Sequence, residues 1–521
     1  MQRGHVLGGS AAINLMTWNR ATATEYDAWE TSLGNPGWNW RGMLAGMKRS
    51  EHFHLDPRYN DGRPGGGLGN SGPVDTVINH FFPPQHEPWV PTLERLGVPH
   101  NVRSLGGDVI GAMYQPTPIE PGAYNRSYPA NSYLPLAGPN LRVMTDTRVA
   151  KVNLAKPRGP GGLYTATGVT LSDGTVLPAR REVILSAGTI QSPGLLELSG
   201  IGRKSVLAPL GIAQKINLPG VGENLQDHLR VQASFRLKPG FTSVDVFRTN
   251  ATYAAEQWAL RRAGRKGYLD YTGGTYAFVN FRHISAAAHT SLVQLATTLF
   301  GTGEAKTSSV IRQKLAWLKS APQVPQLELV LADGYTGAAR GYPPPSSPLF
   351  GASFVTVLVG VMHPFARGSV HVTSPDISVQ PAIDPAYLSS EFDIRAAAEG
   401  LRFARQVAHT HPLRGIWEDE YEPGVDVVPP GDPLEGERWR DFVKNTTGSF
   451  FHPVGTCAML PRGEGGVVDA RLRVYGTGNL RVVDASVMPL VVSAHIQTGV
   501  YGIAERAGVM IVEDAEGRGR G

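Results

Sequence analysis

Two histidines near the C-terminal end are the residues of this chain best placed for proton chemistry. His452 lies in Gly448-Ser449-Phe450-Phe451-His452-Pro453-Val454-Gly455-Thr456-Cys457-Ala458-Met459, and His495 in Val491-Val492-Ser493-Ala494-His495-Ile496-Gln497-Thr498. Between them, Leu480-Arg481-Val482-Val483-Asp484 is an apolar run closed by an acid, the pattern of a buried strand that ends at a ligand. From Gln497 to about Glu513, the residues Val500, Ile503, Ala504, Ala507, Met510 and Ile511 recur at helical spacing. His495 therefore falls just before a helix start, with Thr498 able to cap it. Unpaired N–H groups at such a start favour negative charge and lower the pKa of an adjacent imidazole. A neutral imidazole there suits removal of a proton from an alcohol. Either histidine alone also reads as an ordinary core or loop residue.

His452-Pro453-Val454-Gly455-Thr456-Cys457-Ala458-Met459, Val482-Val483-Asp484-Ala485-Ser486-Val487-Met488-Pro489 and Ser493-Ala494-His495-Ile496-Gln497-Thr498 together resemble the C-terminal third of the glucose–methanol–choline (GMC) flavin oxidoreductases. The resemblance implies that His452 is the catalytic base, that His495 hydrogen-bonds the substrate oxygen, and that both face the reactive edge of an FAD ring. A second match is Gly188-Thr189-Ile190-Gln191-Ser192-Pro193-Gly194 through Gly202, which fits the second signature of that family at every constrained position. A third is Gly8-Gly9-Ser10-Ala11-Ala12-Ile13-Asn14, a loop of small residues that lets backbone N–H groups approach an anion closely. With Trp18, Ala21 and Asp27 it is similar to the first family signature. His5 stands there in place of the usual arginine or lysine, and Ala11 in place of Ser, Thr or Gly. The family likeness assigns FAD contacts to Gly8, Gly9, Ser10, Asn14, Leu15, Met16, Thr17, Val149, Gly188, Asp484, Ala485, Gln497 and Thr498.

In the family the first signature follows a strand–turn–helix unit carrying G-x-G-x-x-G. The one such string here, Gly67-Leu68-Gly69-Asn70-Ser71-Gly72, follows Asp61-Gly62-Arg63-Pro64, which is no strand. It precedes Pro73 and a β-like Val74-Asp75-Thr76-Val77, which is no helix start. The expectation is a chain that begins inside its cofactor domain and lacks a unit of roughly 80 residues with a central strand. Expressed alone, such a chain is expected to be insoluble or flavin-free.

At 521 residues the chain can bury a large core and suggests two or more domains. The net charge of +5 comes without a basic block, so nucleic acid is not implied as a partner. One cysteine, Cys457, excludes an intrachain disulfide and a cysteine metal cluster, and reads as a packing residue. The compartment stays unassigned: no signal peptide is visible after Met1. The longest apolar run, about Phe354 to Met362, is too short to span a bilayer. His52-Phe53-His54 and His409-Thr410-His411 pair imidazoles, but no Asp, Glu or Cys cluster accompanies them at ligand spacing, so no metal site is expected.

The elements that must position these residues follow in chain order. A turn at Asn35-Pro36-Gly37 leads into an amphipathic helix from about Trp40, with Met43, Leu44 and Met47 on its apolar face. Leu141–Thr145 and Val149–Val152 read as short strands, and Thr167–Val176 as a hairpin turning at Asp173-Gly174. Glu182–Gly188 is a buried strand. Ser192 reads as the cap of the following helix and Pro193 as its first residue, with Gly200 and Gly202 ending it. After Asn224-Leu225-Gln226-Asp227-His228 the character changes to strands at Val231–Leu237, Gln326–Ala332, Ala352–Met362 and Gly368–Thr373, with a helix at Phe392–Val407. The expected fold is α/β: a Rossmann-like FAD-binding domain without its first βαβ unit, in residues 1–60, 123–228 and 450–521. An α+β substrate domain, an antiparallel sheet backed by helices, would take 73–122 and 229–449.

The resemblance implies an FAD-dependent oxidation of a small-molecule alcohol to a carbonyl, with hydride passing to flavin N5 and then to O2 or a quinone or dye-type acceptor. Two alternatives stay open on the sequence: a non-redox lyase or cyclase on the same fold, and an inactive fragment.

Overall fold

The computed structural model describes residues 2–157, 162–303, 307–434 and 436–518. Its largest sheet has seven antiparallel strands. In spatial order they run Trp417–Glu422, Leu229–Leu237, Phe354–Val361, Leu327–Asp333, Thr275–Val279 and Gly111–Tyr114, with Gly448–Ser449 beside the start of the 229–237 strand. Alternation along each strand sorts its side chains to two faces. Leu327, Leu329, Leu331, Val355, Val357, Val359 and Val361 go to a face covered by the Glu391–His409 helix. That helix is capped by Ser390, whose side chain accepts from Phe392 N, and carries Glu391 and Asp393 in its first turn, where the helix dipole favours acids.

The register places Glu328 opposite both Gly360 and Phe278, and Val330 opposite Leu358 and Tyr276. These residues therefore share the other face, with Met113 and Met362. One glycine there has a packing reason. A Cβ on Gly360 would stand 2.8 Å from the Phe450 ring, so the bare backbone is what lets Phe450 lie on the sheet.

A second core gathers the Ala23–Thr31, Trp40–Ser50, Gly188–Leu198 and Gln497–Arg518 helices around a parallel strand pair, Val183–Leu185 with Leu480–Val482. Met43 and Met47 are fully buried, as the helical pattern requires, whereas Leu44 is half-buried. The hairpin forms as expected, from Thr165–Leu171 and Val176–Pro178. Glu51–Phe53 and Val74–Ile78 pair in parallel, joining stretches that the sequence assigned to different domains, while Gly111–Tyr114 completes the large sheet.

Three local expectations are corrected. Leu141–Thr145 forms no strand: its side chains are exposed and it joins no sheet. The helix after the buried strand begins at Gly188, so Ser192 and Pro193 lie inside it. Pro193 cannot donate to the Thr189 carbonyl one turn back. Thr456 Oγ1 donates to that oxygen instead, at 2.6 Å, which supplies the hydrogen bond that the proline cannot make. Thr498 does not cap the last helix; its hydroxyl donates to the Asn19 carbonyl.

Candidate active site

The strand Leu229–Leu237 starts directly after Asp227-His228, and Gly448–Ser449 pairs with its first two residues. This pairing carries Phe450 onto the Glu328-bearing face of the sheet with His452 beside it, while Phe451 is 43% exposed. Asp227 fixes the turn: its Oδ1 accepts from His228 N at 2.8 Å and His452 N at 2.9 Å, and its Oδ2 accepts from the Ser449 and Tyr387 hydroxyls. Burial pushes the Asp227 carboxyl up from its ordinary value, and the four donors oppose that shift.

His495 reaches the same place from the other core. Asn19 Oδ1 accepts from its backbone N–H at 2.8 Å, and the long C-terminal helix begins two residues later. Beneath this loop, Glu25 accepts from Ser493 N and Oγ, and His363 Nε2 stands 3.1 Å away. Burial alone would raise Glu25, but His363 and Ser493 outweigh it and leave the carboxyl below its ordinary value.

The two imidazoles meet edge to face, with ring centroids 4.5 Å apart at 72°. Phe450 flanks both, at 5.9 Å from His452 and 5.8 Å from His495, and Tyr276 lies 5.7 Å from His495. His452 Nδ1 is 2.9 Å from His228 Nδ1, so one of these atoms carries the proton and the other accepts it. Both rings are buried, and burial first, then the neighbouring imidazoles, holds each well below the ordinary histidine range. Both are neutral at pH 7. His495 Nε2 stands 3.0 Å from Oε1 of Glu328, a fully buried acid.

The residues assigned to FAD fall into two groups and one outlier. Gly8 and Gly9 have left-handed backbones at the start of a 3-10 turn, and Ser10 Oγ accepts from Gly4 N. Asn14 is the hub of this loop: its Oδ1 accepts from Met16 N and Arg126 Nη1, and its amide donates to Gln497 Oε1. Leu15 is 79% exposed, whereas Met16 packs against Val77, Ile119 and Tyr124. Thr17 Oγ1 lies 2.8 Å from Tyr276 OH. The loop, Gln497 and Thr498 are thus brought together beside His495.

Asp484, Ala485 and Gly188 form the second group. Asp484 Oδ2 accepts from Gly188 N at 2.9 Å and from Ser192 Oγ, and its Oδ1 accepts from Ser486 N at 2.8 Å. Gly455 N donates to the Ala485 carbonyl, and Thr189 Oγ1 to the Pro453 carbonyl at 2.8 Å, which ties this group to the His452 loop. Val149 stands apart, at the head of the Val149–Ala155 strand and against the second core.

Two features of this surface suit a flavin dinucleotide. Gly9 and Gly188, both at positive φ, have no atom of the described residues within 4 Å of a would-be Cβ, so the backbone there is open to a ligand. Among the described residues the buried amide donors Gln497 Nε2 and Asn19 Nδ2 have no partner, and both lie at the N-terminus of the C-terminal helix, whose first N–H groups are likewise unpaired by the helix. That donor set fits acceptor oxygens.

Sequence reasoning missed His228, Asp227 and Glu328 as site residues. Glu328 had a readable signal, a lone acid inside Leu327-Glu328-Leu329-Val330-Leu331. His228 gave none, because its partner is 224 residues away.

The sequence matches the GMC oxidoreductase family over residues 1–230 and 364–504. It is 33% identical over 536 residues to the GMC oxidoreductase family protein Mala s 12 of Malassezia sympodialis, covering 98% of this chain and 79% of that protein. Among solved structures it is similar to an FAD-dependent oxidoreductase from Chaetomium thermophilum, with a TM-score of 0.85 and 26% identity over 99% of this chain and 87% of that one. A fungal aryl-alcohol oxidase gives 0.79 and 27%, over 99% and 86%.

Proposed function

The chain belongs to the GMC oxidoreductase family, and from that premise we propose that it is an FAD-dependent oxidoreductase that converts a small-molecule alcohol to a carbonyl compound. The observation that carries the reading is the meeting of a buried neutral His452 and a carboxylate-held His495 across 4.5 Å. FAD, when bound, would supply the acceptor for the hydride that leaves the carbinol carbon and the route for its electrons to O2 or a quinone-type acceptor. The Gly8–Asn14 loop, Gly188, Gln497 and the start of the C-terminal helix would hold it.

The chain's own residues do the proton chemistry. In the arrangement of the 2.9 Å contact that serves catalysis, His228 Nδ1 accepts from His452 Nδ1–H, and this leaves His452 Nε2 with its lone pair free as the base. That atom takes the hydroxyl proton, a contribution worth roughly 10²–10⁴-fold in rate. Glu328 accepts from His495 Nε2–H and so fixes the orientation of that ring beside the substrate oxygen. Phe450 and Tyr276 give this space aromatic walls and limit water.

The test is anaerobic mixing of FAD-loaded protein with a panel of primary and secondary alcohols. Loss of the oxidised-flavin absorbance supports the reading. Product formation from a substrate with no flavin reduction would overturn it in favour of non-redox chemistry.

A further inference from the structure

The strands Glu51–Phe53 and Val74–Ile78 run parallel with His52 opposite Asp75. His54 continues the ladder, its N–H donating to the Thr76 carbonyl at 2.9 Å. Residues two apart on a strand share a face. Glu51 and Phe53 are buried, so His52 and His54 point the other way, where the three side chains are 44%, 33% and 27% exposed for His52, His54 and Asp75. Asp75 Oδ1 stands 3.2 Å from His52 Nδ1 and 2.7 Å from His54 Nε2, and the three ligand atoms all lie within 4.8 Å of one another. The sequence supplied the two histidines but not the acid, which comes from 21 residues further on.

We propose that His52 Nδ1, His54 Nε2 and Asp75 Oδ1 form a binding site for a divalent transition-metal ion of the Zn2+ or Cu2+ kind. Donor atoms about 2.0–2.2 Å from such an ion stand roughly 3–3.5 Å apart, so side-chain rotations alone bring this set to bonding distance. Two imidazoles and one carboxylate select a late first-row ion over Mg2+ or Ca2+, which want all-oxygen shells. The ligands are held in place beforehand. Asp75 N donates to Ser127 Oγ at 3.0 Å, and the register fixes both histidines. Partial exposure leaves the remaining coordination positions to water. On the inner face of the same strand, Glu51 takes Trp18 Nε1 and Arg20, next to the Asn19 that holds His495. An ion bridging the two strands would tie down that support.

The experiment titrates untagged, FAD-loaded, chelator-treated protein with Zn2+ by calorimetry. One equivalent should bind with micromolar affinity. Losing a partner that merely orients a ligand costs 10–100-fold, so His54→Gln and Asp75→Asn should each weaken binding by at least about tenfold. Cu2+ loaded in place of Zn2+ should show two coordinated nitrogens by electron paramagnetic resonance, and one in His54→Gln. Zn2+ binding unchanged in both variants, or absent at millimolar Zn2+, overturns the site. Should a variant fail to fold, the nitrogen count on the unaltered protein decides alone, and fewer than two overturns it.

Discussion

Replacing His228 tests whether this buried ring sets the state of the base. In His228→Leu the Nδ1–H of His452, on the proposed tautomer, loses its 2.9 Å partner in a buried position. Leaving a buried donor unpaired costs about 1–3 kcal/mol. If that cost falls on the reactive arrangement, kcat drops about 5- to 150-fold, since about 1.4 kcal/mol is a factor of ten. His228 is also one of the groups that lowers the pKa of His452. Its removal should move the acid limb of kcat/KM upward, toward the ordinary histidine value of about 6.5. KM should change little, because the buried His228 contacts the base and is not placed against substrate. His228→Gln, whose Oε1 can accept from Nδ1, should recover part of the loss. The assay is steady-state alcohol oxidation across pH, on protein with a confirmed flavin-to-chain ratio. An unchanged kcat, or a loss carried by KM alone with the acid limb unmoved, refutes the reasoning.

Further outcomes follow from the same geometry. Glu328→Gln replaces the carboxylate that holds His495 with a weaker acceptor and should lower kcat by about tenfold, at a cost near that of one charged hydrogen bond; stopped-flow flavin reduction reads it. Cys457→Ser should keep most activity, with a stability loss of about 1–3 kcal/mol for a buried hydroxyl. Burial holds the Cys457 thiol well above its ordinary value, so the folded protein should label slowly with a thiol reagent. His86 is buried and its pKa is pushed down to about 3 by that burial. Its unfolded form binds a proton near pH 6.5, so its contribution is complete above that value and is lost as pH falls toward 3. At pH 5 the loss is about 2 kcal/mol, at about 1.4 kcal/mol per unit, and His86→Gln should flatten that part of the urea-midpoint profile.

The parts of this fold written in local pattern were readable from the sequence. Met43 and Met47 at helical spacing, the Asp173-Gly174 turn and the long C-terminal helix rest on neighbours within a few residues, and each forms. Leu141–Thr145 carried strand-type residues but found no partner strand, and backbone pairing rather than propensity decides a strand. The helix start at Gly188 was hidden because the compensation for Pro193 comes from Thr456, far along the chain. The site divides the same way. His452 and His495 stood out by the motifs around them, and Glu328 could have been found as a lone acid in an apolar run, whereas His228 and Asp75 acquire meaning only through register and long-range pairing.

The central claim is that His452 removes the substrate's hydroxyl proton, and the direct measurement is anaerobic flavin reduction by alcohol in His452→Ala, followed by stopped flow on FAD-loaded protein. The account predicts that FAD stays bound while the reduction rate falls about 10²–10⁴-fold. A rate undiminished across neutral pH, with the flavin still bound, would contradict it.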